Sequence, residues 1–77
     1  FKPFHQKAKK IDLSQRELEV LNLVSLGLLY ADIAEELEIS LHTVRRHIEN
    51  IYRKLNVNTR SQAILKGIQT GVLDLSE

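Results

Sequence analysis

Cysteine, methionine and tryptophan are all absent from this chain of 77 residues. Without cysteine the fold has no disulfide and no thiolate zinc site, and this composition fits a reducing compartment. No apolar run approaches the roughly 18 residues of a membrane span, and the first residues lack the apolar centre of a signal peptide. We therefore expect a cytoplasmic protein that folds around an apolar core without a metal or other cofactor.

The length of the chain allows one domain, which would bury roughly 60–65% of its unfolded surface. Residues 1–12 carry four lysines and show no sustained hydrophobic period, so we interpret them as a basic linker. The chain begins with Phe1 and has no methionine, and we expect it to be part of a longer protein with an upstream regulatory domain. Residues 13–77 are predicted to form the domain itself.

The net charge of +1 hides an asymmetry along the chain. Residues 1–38 hold 5 basic and 7 acidic side chains, whereas residues 39–77 hold 6 basic and 3 acidic. Within residues 40–60 there are five basic side chains and only one acid, Glu49. A local basic patch suggests an anionic partner, although a solvated charged face is an equally good interpretation of charge alone.

Four helices are predicted from hydrophobic period and capping residues. The spacing of Ser14 and Glu17 is that of a capping box, which begins a first helix that ends at Gly27. A second helix is expected over residues 30–37, and Ser40 would cap a third over residues 41–55. The link between these two is so short that they must cross steeply, as in a helix-turn-helix.

A second capping box is predicted at Thr59 and Gln62, and it begins a fourth helix that ends at Gly71. No segment alternates with period two for long enough to form a strand. The sequence therefore predicts an all-α fold, a four-helix (tetrahelical) helix-turn-helix bundle.

The third helix has two contrasting sides. Its apolar residues fall within about 60° of one another and predict a buried stripe: Val44, Ile48, Ile51 and Leu55. Opposite them lie His42, Arg45, Arg46, Glu49 and Arg53, flanked by Thr43, His47, Asn50 and Lys54. A major groove admits one α-helix, whose free face must then supply donors for base edges and phosphates.

Arg45 and Arg46 stand near the start of this helix, where a recognition helix usually meets bases. The arginine fork matches O6 and N7 of guanine with two hydrogen bonds. Glu49 lies one turn past Arg45 and could accept from cytosine N4. We favour instead an i,i+4 pair that orients Arg45, or a surface salt bridge worth about 0.5 kcal/mol or less.

His42 and His47 lie on different faces, and no cysteine or carboxylate completes a metal site with them. There is also no nucleophile with an oriented base, so the chain is not expected to be an enzyme. His47 is interpreted as a phosphate donor or a partly packed residue.

Several separated motifs resemble the LuxR-type (GerE-like) helix-turn-helix domain of bacterial transcription regulators. They are "LSQRELEVLNL" from Leu13, "IAEEL" at 33–37, "IS" at 39–40, "TVRRHIENIYRKL" at 43–55 and "NVNTRSQA" at 56–63. The sequence departs from the family pattern in "LLYAD" at 28–32, where Leu29 cannot cap the second helix. We expect the start of that helix to shift or fray.

The resemblance implies a tetrahelical domain with its third helix in the major groove of double-stranded DNA. It implies DNA contacts from Thr43, Arg45, Arg46, His47 and Lys54, and dimerisation through the fourth helix. Leu65, Ile68 and Val72 are the expected dimer seam, with Gly67 allowing close approach. The alternative is that the C-terminal segment packs over the first helix.

We therefore predict the sequence-specific DNA-binding output domain of a bacterial transcription regulator, acting as a homodimer under an upstream receiver or sensor domain. The expected base-reading residues are Arg45, Arg46, Glu49 and His42. The expected backbone contacts are Ser40, Thr43, His47, Arg53, Lys54 and Arg60. The alternative function is a helical protein-interaction module that docks an acidic partner on the same basic face.

Overall fold

The computed structural model describes residues 11–73. In this range the chain forms four α-helices and no strand: α1 (Gln15–Ser25), α2 (Tyr30–Leu37), α3 (Leu41–Leu55) and α4 (Arg60–Thr70). The all-α, four-helix prediction is therefore confirmed. Most of the predicted linker lies outside the described residues. No helix in residues 11–73 has both the length and the apolar character needed to cross a bilayer.

Helix α1 begins with the predicted capping box. The Ser14 hydroxyl accepts from the Glu17 amide at 3.1 Å, and the Ser14 amide donates to Glu17 Oε1 at 2.9 Å. Gly27 follows the helix in the left-handed region at φ 92°, as its position predicts. Leu26 is exposed, so the buried surface of α1 ends at Val24.

The helix-turn-helix is formed by α2 and α3. Leu29 provides no side-chain cap, as predicted, but α2 still begins at Tyr30 and does not shift. The turn passes through Glu38 in the left-handed conformation, at φ 58°. Ser40 then caps α3 by accepting from the Thr43 amide at 3.0 Å.

The start of α4 differs from the prediction. Thr59 Oγ1 accepts from the Gln62 amide at 3.1 Å, which is one half of a capping box. Gln62 Oε1, however, accepts from the Asn58 amide at 2.9 Å instead of the Thr59 amide. The predicted reciprocal box was therefore wrong, because the preceding residue offers its amide to the glutamine.

The core draws on all four helices, and α3 contributes the most residues to it. The buried apolar side chains are Leu13, Val20, Leu21, Val24, Ile33, Val44, Ile48, Ile51, Leu55, Ala63 and Leu73. Fully burying a Val, Leu or Ile side chain stabilises the fold by about 1.5–3 kcal/mol. Helix α3 packs against each of the other helices, so its orientation is set by the whole domain.

The chain after α4 folds back onto the core. Leu73 is buried, and its amide donates to the Gly67 carbonyl at 2.9 Å. A Cβ on Gly67 would lie 2.9 Å from Leu73 Cδ1, so Gly67 allows a close approach within this chain. The predicted role of Gly67 in a seam between two copies was therefore wrong. Leu73 therefore packs beside Gly67 of α4, while the alternative that the C-terminal segment packs over the first helix stays a prediction.

Candidate nucleic-acid interface

Helix α3 separates its apolar and polar residues as the sequence predicts. Its four buried residues are Val44, Ile48, Ile51 and Leu55. The opposite side is exposed and carries His42, Arg45, Arg46, Glu49 and Arg53, which we call the outer face. One side of the helix is thus held by the domain, and the other is open to a partner.

Arg45 and Arg46 are both exposed on the outer face. Within residues 11–73, neither guanidinium makes an ion pair or a hydrogen bond to the domain. Their forks therefore remain available for an external acceptor such as a base edge or a phosphate.

Glu49 is also exposed, and the expected pair with Arg45 is not formed in the part of the chain described. One turn further on, Arg53 Nη2 donates to Asn50 Oδ1 at 2.8 Å. The prediction that Glu49 orients Arg45 was wrong for this structure. Exposed i,i+4 pairs stabilise by only about 0.2–0.5 kcal/mol, which is too little to fix two long side chains.

The flank at the start of α3 carries two hydroxyl groups. Ser40 Oγ and Thr43 Oγ1 lie 2.9 Å apart, while Ser40 also caps the helix. His47 lies half-buried one turn further along the same flank. These groups line one edge of the outer face, where phosphate donors are needed.

Lys54 is held by the domain through an interaction that sequence reasoning missed. Its Nζ donates to Glu17 Oε1 at 2.8 Å and to the Asp12 carbonyl at 3.2 Å. An ammonium group has three N–H donors, so one remains for an external acceptor. Periodicity within one helix carries no signal for this pair, because the two residues are 37 positions apart.

The environment of Glu17 is a balance between burial and positive charge. The residue is 5% exposed, and this burial alone would raise the pKa of its carboxyl group. Hydrogen bonds from Lys54 and the Ser14 amide, with the positive charges of Lys54 and His47, outweigh burial and lower that pKa below 4.5. Glu17 is thus an ionised anchor for Lys54 at neutral pH.

Arg60 also bonds within the domain. Its Nη2 donates to the Val24 carbonyl at 3.0 Å and to the Leu28 carbonyl at 2.8 Å. Val24 lies in the last turn of α1, where its carbonyl also accepts from the Gly27 amide at 3.0 Å, and Leu28 lies in the loop between α1 and α2. Arg60 therefore holds the loop before the helix-turn-helix, and its predicted phosphate contact would use its remaining N–H groups.

Tyr52 is a half-buried polar residue whose environment sequence reasoning missed. Burial, followed by the neighbouring Tyr30 hydroxyl, raises the pKa of the Tyr52 phenol to about 12. Both tyrosines are partly buried and pack against the hydrophobic core, Tyr30 from α2 and Tyr52 from α3.

Two of the three residues predicted to form the dimer interface are exposed. Leu65 is 56% exposed and Ile68 is 43% exposed, whereas Val72 is half-buried. A groove beside Leu65 is lined by Asn56, Val57, Asn58, Gln62, Lys66 and Gln69. Exposed apolar side chains on one helix next to a groove are a typical surface for association.

Among residues 11–73, no group of three or more His, Asp or Glu side chains could hold a metal ion.

Comparison with known proteins gives a consistent result. Residues 12–66 match the family model described as "Bacterial regulatory proteins, luxR family". The chain is 46% identical over 59 residues to the transcriptional regulatory protein DegU of Brevibacillus brevis, covering 77% of this chain and 25% of that protein. It is 42% identical over 69 residues to the transcriptional activator protein EsaR of Pantoea stewartii, covering 90% of this chain and 28% of that protein.

Among solved structures, the chain is similar to the transcription factor GerE. The TM-score is 0.77 at 44% identity, with 83% of this chain and 96% of that chain covered. The chain thus spans nearly all of GerE, but only about a quarter of the length of DegU and EsaR.

Proposed function

This chain belongs to the LuxR family of bacterial regulatory proteins, and from that membership and the geometry of α3 we propose sequence-specific binding of double-stranded DNA. In this proposal α3 lies in the major groove and the domain is the output module of a cytoplasmic transcription regulator. The observation that carries the proposal is the division of α3. Four residues anchor it in the core, and two arginines without partners in the described chain stand on its outer face.

Base reading is assigned to the outer face. Arg45 and Arg46 stand in the first two turns of α3 and would each match a guanine through O6 and N7. His42 and Glu49 share the outer face and complete the set of base-reading residues.

The edges of α3 would be fixed on phosphates. Ser40, Thr43 and His47 lie along one flank and Arg53 continues the outer face. Lys54 would use its one remaining N–H and Arg60 its free nitrogens. Such contacts set the register of the helix without reading sequence.

Dimerisation would bring two recognition helices to successive major grooves, about 34 Å apart. Leu65 and Ile68 support this proposal because they are large, apolar and exposed on α4. Val72, half-buried two residues after the end of α4, would lie at the margin of the seam.

The relatives DegU and EsaR are about four times longer than the matched region. Their length supports an upstream receiver or sensor domain that controls the dimer.

The test is selection from random duplexes with the purified chain, repeated with Arg45→Ala. We expect the wild type to enrich a consensus and Arg45→Ala to lose preference at one base pair, at a cost of about 1–3 kcal/mol on the original site. Log affinity should also fall with log salt by nearly one unit per neutralised phosphate.

The competing function, docking of an acidic protein on the same basic face, predicts a different result. No consensus would be enriched, and binding to duplexes would be weak and independent of sequence. That result would contradict the DNA proposal.

A further inference from the structure

Glu49 is an acid at the centre of a face that is otherwise cationic. Residues 40–60 hold five basic side chains and this single acid. A carboxylate on a surface that approaches phosphates opposes binding through its charge. The presence of Glu49 on this face therefore needs an explanation other than affinity. The explanation given below, that Glu49 reads a base, rests on the proposed function of DNA binding.

The oxygens of Glu49 are available in the described structure. Arg45 lies one turn before it and Arg53 one turn after it, so either could form an i,i+4 pair. Neither does so within residues 11–73, and Arg53 donates to Asn50 instead. Glu49 is exposed and its carboxylate can accept hydrogen bonds from outside the domain.

The chemistry of the major groove restricts what such a group can bind. An ionised carboxylate only accepts hydrogen bonds. Guanine presents O6 and N7 and thymine presents O4, all acceptors that repel it. Adenine presents N6–H₂ beside the acceptor N7, whereas cytosine presents the N4–H₂ donor without an acceptor of its own beside it.

We propose that Glu49 is a specificity residue that selects cytosine at one position of the target site. Glu49 lies about 6 Å along the helix axis from Arg45, so the two side chains would contact neighbouring base pairs. Its charge lowers affinity for non-cognate duplexes and is compensated only where a cytosine N4 donates. Specificity arises from this difference between cognate and non-cognate binding.

The experiment is duplex selection with the wild type, Glu49→Ala and Glu49→Gln. The wild-type consensus should contain a cytosine that becomes degenerate with Glu49→Ala. With Glu49→Gln the same position should shift toward adenine, because an amide matches N6 and N7 with two hydrogen bonds.

Affinity measurements on two duplexes make the test quantitative. One duplex carries the wild-type consensus and the other replaces only the selected cytosine. The wild type should discriminate between them by about fivefold to a hundredfold, and Glu49→Ala by close to onefold. Affinity of Glu49→Ala for random duplexes should rise.

The matched control is Glu36→Gln, which removes one negative charge from an exposed residue of α2. It should leave the consensus and the discrimination unchanged.

The outcomes separate this inference from the function on which it rests. If the wild type enriches no consensus, the proposed DNA function is wrong. If a consensus appears but stays the same in both Glu49 variants, only the cytosine inference is overturned. A gain in affinity that is equal on all duplexes, with no position changed, also overturns it.

Discussion

Lys54 Nζ lies 2.8 Å from Glu17 Oε1, and this ion pair joins the last turn of α3 to the first turn of α1. The same oxygen of Glu17 accepts from the Ser14 amide at 2.9 Å. One buried carboxylate thus closes a helix cap and fixes the far end of α3. The angle at which α3 presents its outer face depends in part on this connection.

Lys54→Met should reduce the free energy of unfolding by about 1–3 kcal/mol. Methionine keeps an apolar stem but removes the donor, so Glu17 keeps its charge in a buried place with one partner fewer. Urea denaturation of the purified domain measures the change.

The control for this prediction is Arg16→Gln, which removes the exposed Arg16–Glu19 pair. Exposed pairs of this kind contribute about 0.2–1 kcal/mol. Equal losses in the two variants would mean that burial of Glu17 has no energetic consequence.

Stability should also depend on pH through Glu17. Its pKa is lowered from 4.5 by Lys54, the Ser14 amide and His47 against the opposing effect of burial, so the unfolded chain takes up this proton first as pH falls. The contribution of Glu17 is therefore fully present above pH 4.5 and is lost as pH falls through its folded pKa. Urea denaturation at a series of acidic pH values measures this slope.

Two variants test the assignment of that slope. Glu17→Gln removes the titrating group, and Lys54→Met removes its main charged partner. Both should flatten the acid limb of the stability curve relative to the wild type. An unchanged limb in Glu17→Gln would assign the acid sensitivity to other groups.

The sequence predicted the helices well because their signals are local. Ser14, Ser40 and Gly71 mark helix ends through bonds or backbone angles within four residues. The buried apolar side of α3 was equally predictable from the sequence, since the helical period alone places Val44 and Ile48 on one side. The exposure of Arg45 and Arg46 followed from the same geometry.

The remaining contacts could not be predicted because they join distant parts of the chain. Lys54 meets Glu17, and Arg60 meets the carbonyls of Val24 and Leu28. The sequence predicts a phosphate contact for both cations, which stays a prediction, but it does not predict their internal partners, because a basic side chain shows its charge in a sequence and not its partner. Gly67 was expected to allow the close approach of a second copy, because a sequence shows that glycine leaves space but not which segment fills it; here Leu73 of the same chain packs against it.

Glu38→Gly should raise the free energy of unfolding by about 0.5–1 kcal/mol. Glu38 adopts φ 58° after α2, a conformation that is costly for a residue with a Cβ. Its charge at the end of a helix is also unfavourable to the helix dipole. Thermal or urea denaturation measures the gain.

Two further variants divide that gain into its causes. Glu38→Gln removes the charge and keeps the Cβ, so it should raise the free energy of unfolding by less than half as much as Glu38→Gly does. Asn56→Gly changes the other non-glycine residue with positive φ, at 59°, and should gain less because asparagine tolerates this region. A loss of stability in Glu38→Gly would contradict the assignment of backbone strain to this residue.

Leu65→Lys should weaken self-association and cooperative binding to a duplex with two half-sites. It should change the free energy of unfolding by no more than about 0.5 kcal/mol relative to the wild type. Leu65 is 56% exposed on α4, and a lysine there adds like charges that repel across a two-fold seam. Sedimentation equilibrium and duplex titration measure the two effects. The matched control is Leu29→Lys, which makes the same change at a leucine that is 66% exposed before α2. Equal effects at both positions would mean that α4 does not form the seam.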